Sequence, residues 1–196
     1  MEPIRLDQVI GLDRYERERD EFRRRIIALK KHRRVSVGED ITFVFENRDT
    51  VFFQIQEMLR AERITDLDKV REELDCYNEL IPHPGELSST MLIEITEQEH
   101  IRERLVRLHG IEEAVRFEIG DVGVKGEFEA GRSKEDKLSA VQYVRFAFDA
   151  AARQRFVSGR DSVRLVVDHP HYQAATLLDD VVRRALADDF ADGRTA

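Results

Sequence analysis

The dominant hydrophobic period of this chain shifts near its middle, and that shift limits what it can fold into. Up to Ile81 the apolar residues recur mainly every three or four positions, the spacing of one helix face; from Leu87 the period moves towards every second position, the spacing of a half-buried strand. Tyr15, Phe22, Ile26 and Leu29 predict a long helix from about Asp13 to Arg34. Val51, Phe52, Ile55, Met58 and Leu59 predict a second, starting near Asn47 or Asp49, with Gln54, Gln56, Glu57 and Arg60 on its flanks. Leu67, Val70, Leu74, Tyr77 and Ile81 predict a third, opened by a Thr65/Asp68 capping box and stopped by Pro82, Pro84 and Gly85. Between the first two helices, Ile41, Phe43 and Phe45 alternate as a strand entered through a turn at Gly38.

The second half carries the shorter period. Met91, Ile93 and Ile95 begin a sheet, and Thr96 with Glu99 forms a capping box for a helix through Ile101, Leu105 and Leu108 that stops at Gly110. Val115, Phe117 and Ile119, a Gly120-Asp121 turn, and Val122, Val124 and Phe128 read as a hairpin with Arg116, Glu118, Lys125 and Glu127 outward. Leu138 to Phe148 and Val163 to Val167 read as further strands, Thr176 to Phe190 as a closing amphipathic helix, and the tail beyond is expected to fray. The pattern predicts an α+β fold, with a helical N-terminal third packed on a mainly antiparallel sheet, additional helices and a C-terminal helix. Residues 1–86 form a helical lobe with a short strand and residues 87–196 a sheet-containing lobe, the two sharing an interface as one compact unit.

Composition narrows the function. At 196 residues and 41% hydrophobic the chain can bury an adequate core, and 40 acidic against 32 basic residues argue against indiscriminate binding to nucleic acid or anionic membrane. The single cysteine, Cys76, can form no internal disulfide, which fits a reducing cytoplasm. No apolar run approaches the roughly 20 residues that span a bilayer, and the N-terminus has no basic start followed by an apolar stretch, so the chain is expected to be soluble, unexported and cytoplasmic.

No nucleophile elbow, phosphate loop or dinucleotide fingerprint appears, so candidate sites rest on polar placement. The richest stretch is Phe45 to Arg63. Glu57, flanked by Gln54 and Arg60, can bind a metal or polar ligand, or form an ordinary helix ion pair with Arg60. Asn47, Arg48 and Asp49 can present an anion pocket at a helix start, or Asn47 or Asp49 can simply cap the helix while Arg48 neutralises Glu46 or Asp49. Asn78, Glu79 and Glu86 surround a rigid turn, with His83 at its tip. Gln142 shares a strand face with Ala140, Val144 and Phe146, so a buried amide must find partners there, either in a structural network with Ser139 or in a polar pocket. His169 and His171 make the best metal-like run, and a divalent metal would need a further ligand from Glu57, Glu79, Glu86 or His109. The only basic cluster, Arg23, Arg24, Arg25, Lys30, Lys31, Arg33 and Arg34, lacks interleaved aromatics for base stacking, which argues against RNA or DNA.

The segments FENRDTVFFQIQEMLRAERI, YNELIP, PGELSSTMLIEI, LSAVQYVRF and VDHPHY resemble an uncharacterised bacterial family of domains of unknown function, and the resemblance runs from about Leu12 to the closing helix. It implies a gene neighbourhood of rubrerythrin-like proteins and iron–sulfur oxidoreductases, hence a redox or oxidative-stress setting with such a protein as partner. It brings no catalytic residues. The expectation is an accessory or ligand-binding protein, with a carboxylate/histidine metalloprotein or enzyme pocket between the lobes as the alternative and RNA binding by the basic helix as a third reading.

Overall fold

The computed structural model describes residues 1–129 and 138–191, and the tail whose fraying was expected lies outside them from residue 192. Three helices precede the sheet proper: α1 (Leu12–Lys31), α2 (Arg48–Ala61) and α3 (Leu67–Asn78). Between the first two runs a hairpin of β1 (Arg34–Val37) and β2 (Ile41–Glu46). Then follow β3 (Glu86–Ile93), α4 (Ile101–Arg107), β4 (Val115–Ile119), β5 (Val122–Phe128), β6 (Val141–Ala147), α5 (Ala150–Ser158), β7 (Val163–His169), β8 (Tyr172–Leu177) and α6 (Asp180–Ala191). The architecture is α+β, as the change of period predicts.

All eight strands belong to one antiparallel sheet in the order β1-β2-β3-β6-β5-β4-β7-β8. The sheet curls until its two edges meet. Tyr172 of β8 donates its hydroxyl to the Val37 carbonyl at 2.6 Å and accepts from the Asp40 amide at 3.1 Å, and Thr176 donates to the Ser36 carbonyl at 2.6 Å. Side chains thus satisfy edge groups that would otherwise be open to another chain. Gly38 makes this seam possible: its φ is +72°, and a Cβ there would collide with the Tyr172 hydroxyl.

Two cores flank the sheet. The inner one gathers Phe43, Phe45, Met91, Phe117, Val144, Phe146 and Leu165 and is closed by Phe156 of α5 and Leu186 and Phe190 of α6. Several of its rings meet edge to face, as at Phe117 and Phe156 (88° at 5.9 Å), the geometry aromatic quadrupoles favour. The outer core packs Val51, Ile55 and Leu59 of α2 and Val70 and Leu74 of α3 with Ile4, Leu80 and Ile81. β2 lies between the two and is buried along its whole length. The Pro82–Glu86 boundary therefore separates the helical layer from most of the sheet, yet β1 and β2, from its N-terminal side, are integral strands of that sheet.

Several local expectations need correction. α3 is capped by Asp66, which accepts from the amides of Asp68 and Lys69, and not by Thr65. The approach to α4 is a 3-10 turn, Gln98–His100, without a side-chain cap, so the Thr96/Glu99 box does not form. The strand from Gly38 onward has a short partner, β1, before it. The closing helix starts at Asp180 rather than Thr176, because Tyr172–Leu177 pairs with β7 in full register. In α2, Gln56 is buried instead of flanking. No helix among the described residues is long and apolar enough to cross a membrane.

Candidate functional site

α3 stops at Asn78, and Leu80 and Ile81 turn inward to the outer core before Gly85 (φ +85°) turns the chain into β3. This turn throws the Glu79 carbonyl and the Glu86 carboxylate toward Arg145 of β6. Arg145 Nη1 donates to Glu86 Oε2 at 3.0 Å and approaches His83 Nδ1 at 3.3 Å, while Nη2 donates to the Glu79 carbonyl. The His83 amide also donates to Glu86 Oε2, at 3.3 Å. The guanidinium is thereby fixed between turn and sheet.

Beside it opens a cavity of about 290 Å³ between the end of α3 and the outer face of β3, β6 and β5. That lies near the lower end of small-ligand sites, roughly 300 Å³. Cys76, Tyr77, Glu79 and Leu80 form the helix side, Ser88, Tyr143 and Arg145 the floor, and Glu127, Phe128 and Glu129 the far wall. Strand register explains the floor. Glu46 of β2 stands opposite Ser88, Ser88 opposite Arg145, and Arg145 opposite Glu127, so the four side chains form one row across one face. Glu46 is 1% exposed; its Oε1 accepts from the Thr90 hydroxyl at 2.8 Å, and its Oε2 finds no hydrogen-bond partner among the described residues. A buried carboxylate oxygen in that condition calls for a donor.

The residues singled out from the sequence fall into separate places. Glu79 lines the cavity and Glu86 borders it through Arg145. Asn78 faces away: its Oδ1 accepts from the Ile4 amide at 2.7 Å and its Nδ2 donates to the Ile4 carbonyl at 2.9 Å. Gln56 holds Ile10 in the same two-bonded way, each bond 3.0 Å, and Arg48 reaches the Glu2 carbonyl and Gln8. Together they pin the N-terminal arm. Asn47 caps α2 by accepting from the Thr50 amide at 3.0 Å, Asp49 is exposed in the first turn, and Gln54 is half-buried outside the cavity lining.

Glu57 belongs to a tie between α1 and α2. Tyr15 donates to it at 2.8 Å and Arg19 donates through two nitrogens at 2.7 and 2.8 Å, whereas Arg60 pairs with Glu16 rather than with Glu57. The bonds from Arg19, with Tyr15 helping, hold the Glu57 carboxyl below its usual range, and burial pushes the Tyr15 hydroxyl up. Gln142 takes the structural alternative at least in part, donating to the Ser139 carbonyl at 3.0 Å from the sheet face opposite the cavity.

His169 and His171 sit at the tip of the β7–β8 hairpin. His169 Nδ1 accepts from the His171 amide at 3.2 Å, so Nε2 is the nitrogen that donates to the His109 carbonyl at 3.0 Å, and both ring nitrogens are engaged. Among the described residues no group of three or more His, Cys, Asp or Glu is arranged to hold a metal ion. In the basic cluster, Arg33 is fully buried against Asp189, Arg34 pairs with Glu94 at 2.7 Å, and Arg25 lies over the Phe22 ring at 4.6 Å.

Sequence reasoning missed Ser88, Tyr143, Arg145, Glu127 and Glu46 as parts of one site. The usable signal was the alternation that sets Tyr143 and Arg145 on the face opposite Gln142. What joins them is strand register, which no local pattern records.

No curated protein matches the chain. A protein from Burkholderia pseudomallei K96243, solved as a novel protein of unknown function, is 33% identical and superposes with a TM-score of 0.89, over 96% of this chain and 99% of that one. Residues 3–190 match the family described as Protein of unknown function (DUF3501), and the chain belongs to that family.

Proposed function

We propose that the chain is an accessory, ligand-binding protein whose cavity between α3 and the β3-β6-β5 face takes a small polar molecule. One observation carries the reading: polar groups from four elements converge on a single concavity, with aromatic surface beside them. Two of the candidates outside the cavity are engaged in structural bonds, Glu57 between two helices and His169 within a hairpin. Binding therefore has more support than turnover. The setting is part of the proposal: a cytoplasmic redox or oxidative-stress system with a rubrerythrin-like or iron–sulfur partner, as the family resemblance implies.

The test is native mass spectrometry with elemental analysis on the protein gently isolated from its own cells, paired with alkylation of Cys76. The expected result is a stoichiometric small-molecule mass whose removal speeds iodoacetamide reaction at Cys76, the only thiol and a wall of the cavity. A stoichiometric metal without such a mass would replace this reading with the metalloprotein one. A bare chain with a Cys76 rate indifferent to small molecules would overturn the cavity's role.

A further inference from the structure

We propose that the surface shared by α2 and the end of α3 is a docking site for an irregular segment of a partner protein, anchored by one buried Ile or Val, and that residues 1–10 occupy it as a built-in competitor. The inference is independent of the cavity reading. Residues 1–10 take no place in the sheet; they hold a single 3-10 turn, Leu6–Gln8, between the extended residues Arg5 and Val9. The hydrogen bonds that tie them to α2 and α3 come from side chains. Asn78 pairs with both the amide and the carbonyl of Ile4, Gln56 with both of Ile10, and Arg48 donates to the Glu2 carbonyl at 3.2 Å and to Gln8 Oε1 at 2.7 Å. An amide that takes the N–H and the C=O of one residue reads a backbone and is blind to the side chain on it. Ile4, in the outer core, is the one fully buried side chain of the ten, with Met1, Leu6 and Val9 half-buried beside it, while Glu2, Pro3, Arg5 and Asp7 are exposed.

That pattern makes the arm replaceable but not dispensable. Gln56 is fully buried with both of its bonds on Ile10, so lifting the arm away strips a core amide of its partners, a loss that water or another chain must make good. Another chain also restores the apolar contact at Ile4, which water does not. A second copy would exchange one arm for an identical one, gaining no contact while losing the freedom of two separate chains, so a different protein is the better occupant. The fitting segment offers Ile or Val at the Ile4 position, free backbone N–H and C=O groups there and six residues further on, and an acceptor for Arg48. Its outward positions are open to any residue. The arm competes through its tether to α1, at an effective concentration on the order of millimolar. It can lift without the sheet, since no ladder bond joins the two.

The experiment titrates a synthetic peptide of residues 1–11, with a fluorophore beyond Gly11, into the full chain by fluorescence anisotropy, using wild type and Ile4→Ala. The loosened arm of the Ile4→Ala chain is expected to admit the peptide about tenfold or more tightly than the wild-type arm does. On that chain, a peptide itself carrying Ile4→Ala is expected to bind about tenfold or more weakly than the unchanged one, and a peptide with Glu2, Arg5 and Asp7 changed to Ser within about threefold of it. Hydrogen exchange on the wild-type chain needs no variant to fold: excess peptide is expected to speed exchange at the Ile4 and Ile10 amides while α2 and α3 stay protected. Equal affinity for the two chains, or arm exchange unmoved by millimolar peptide, would overturn the proposal. A large loss with the serine peptide would confine the seat to the arm's own sequence and overturn the partner. A chain that is dimeric by native mass spectrometry and is split by the peptide would give the seat to the arm of a second copy and overturn the partner as well.

Discussion

Glu57 has the partners of a structural residue: a tyrosine hydroxyl and a two-pronged arginine from the neighbouring helix. Both charged members are about a quarter exposed, so screening trims what the bonds contribute. Glu57→Gln is expected to lower unfolding free energy by about 1–2 kcal/mol in urea titrations while leaving Cys76 protection by ligand unchanged. Because the folded-state carboxyl titrates below its ordinary value of 4.5, its contribution is complete above that pH and is lost as pH falls through the folded value. The stability difference between wild type and Glu57→Gln should therefore hold at neutral pH and shrink in acid below about 4.5. Arg33 is the harsher case. Its guanidinium and the Asp189 carboxylate are 2% and 3% exposed, and it also donates to the carbonyls of Phe45, Ala185 and Glu46. Arg33→Met is expected to cost about 3–5 kcal/mol by taking the cation away from the buried Asp189 carboxylate, and Arg33→Met with Asp189→Leu to recover much of that, as read from denaturation midpoints. The sequence placed Arg33 in a basic surface cluster, because nothing local distinguishes a cation that will be covered by the last helix.

At the scale of elements, the seam between β1 and β8 depends on one hydroxyl and one glycine. Tyr172→Phe removes a donor and an acceptor at Val37 and Asp40 and should cost about 1–3 kcal/mol, with faster amide exchange in β1 and β8 but not in β3. Gly38→Ala meets both a positive φ and the Tyr172 hydroxyl, so a Tyr172→Ala background should relieve only the part of its loss that comes from the collision and leave the backbone cost, as a double-mutant cycle would show. The N-terminal arm is a second element held by side chains in place of a ladder. Asn78→Ala and Gln56→Ala should each expose residues 1–10 to limited proteolysis while the sheet stays protected. Neither device was legible in advance. An amide on a helix flank looks the same whether it faces water or a distant segment of its own chain, and β8, built on Tyr172, Ala174 and Thr176, has too few large apolar residues to outweigh the helical spacing of Leu177, Leu178 and Val181.

For the whole molecule, β2 gives Ile41, Phe43 and Phe45 to the inner core and pairs with β3 across the division between the expected lobes. A fragment spanning residues 87–196 lacks β1 and β2, leaves β3 as a bare edge and loses the partners of Tyr172 and Thr176. It is expected to be unfolded by circular dichroism and to aggregate, whereas a fragment folding alone with native near-ultraviolet signals would show the sheet to be independent of its N-terminal hairpin. The intact chain should unfold in one transition by all probes.

The amino-acid order alone determined the fold class, the three leading helices, the inward faces of most strands and the start of the second helix at Asn47 or Asp49, because each depends on periodicity or on bonds between residues a few positions apart. It also put Tyr143 and Arg145 opposite Gln142, since alternation is local. Only the tertiary structure decided that Glu46, Ser88, Arg145 and Glu127 share a row, that Asn78 and Gln56 serve the N-terminal arm, and that the edges of the sheet meet at Tyr172. The reason is physical. These contacts join residues from 18 to 140 positions apart, and whether a polar side chain among them ends in water, in a bond or in a cavity is fixed by what the rest of the chain brings to its other side.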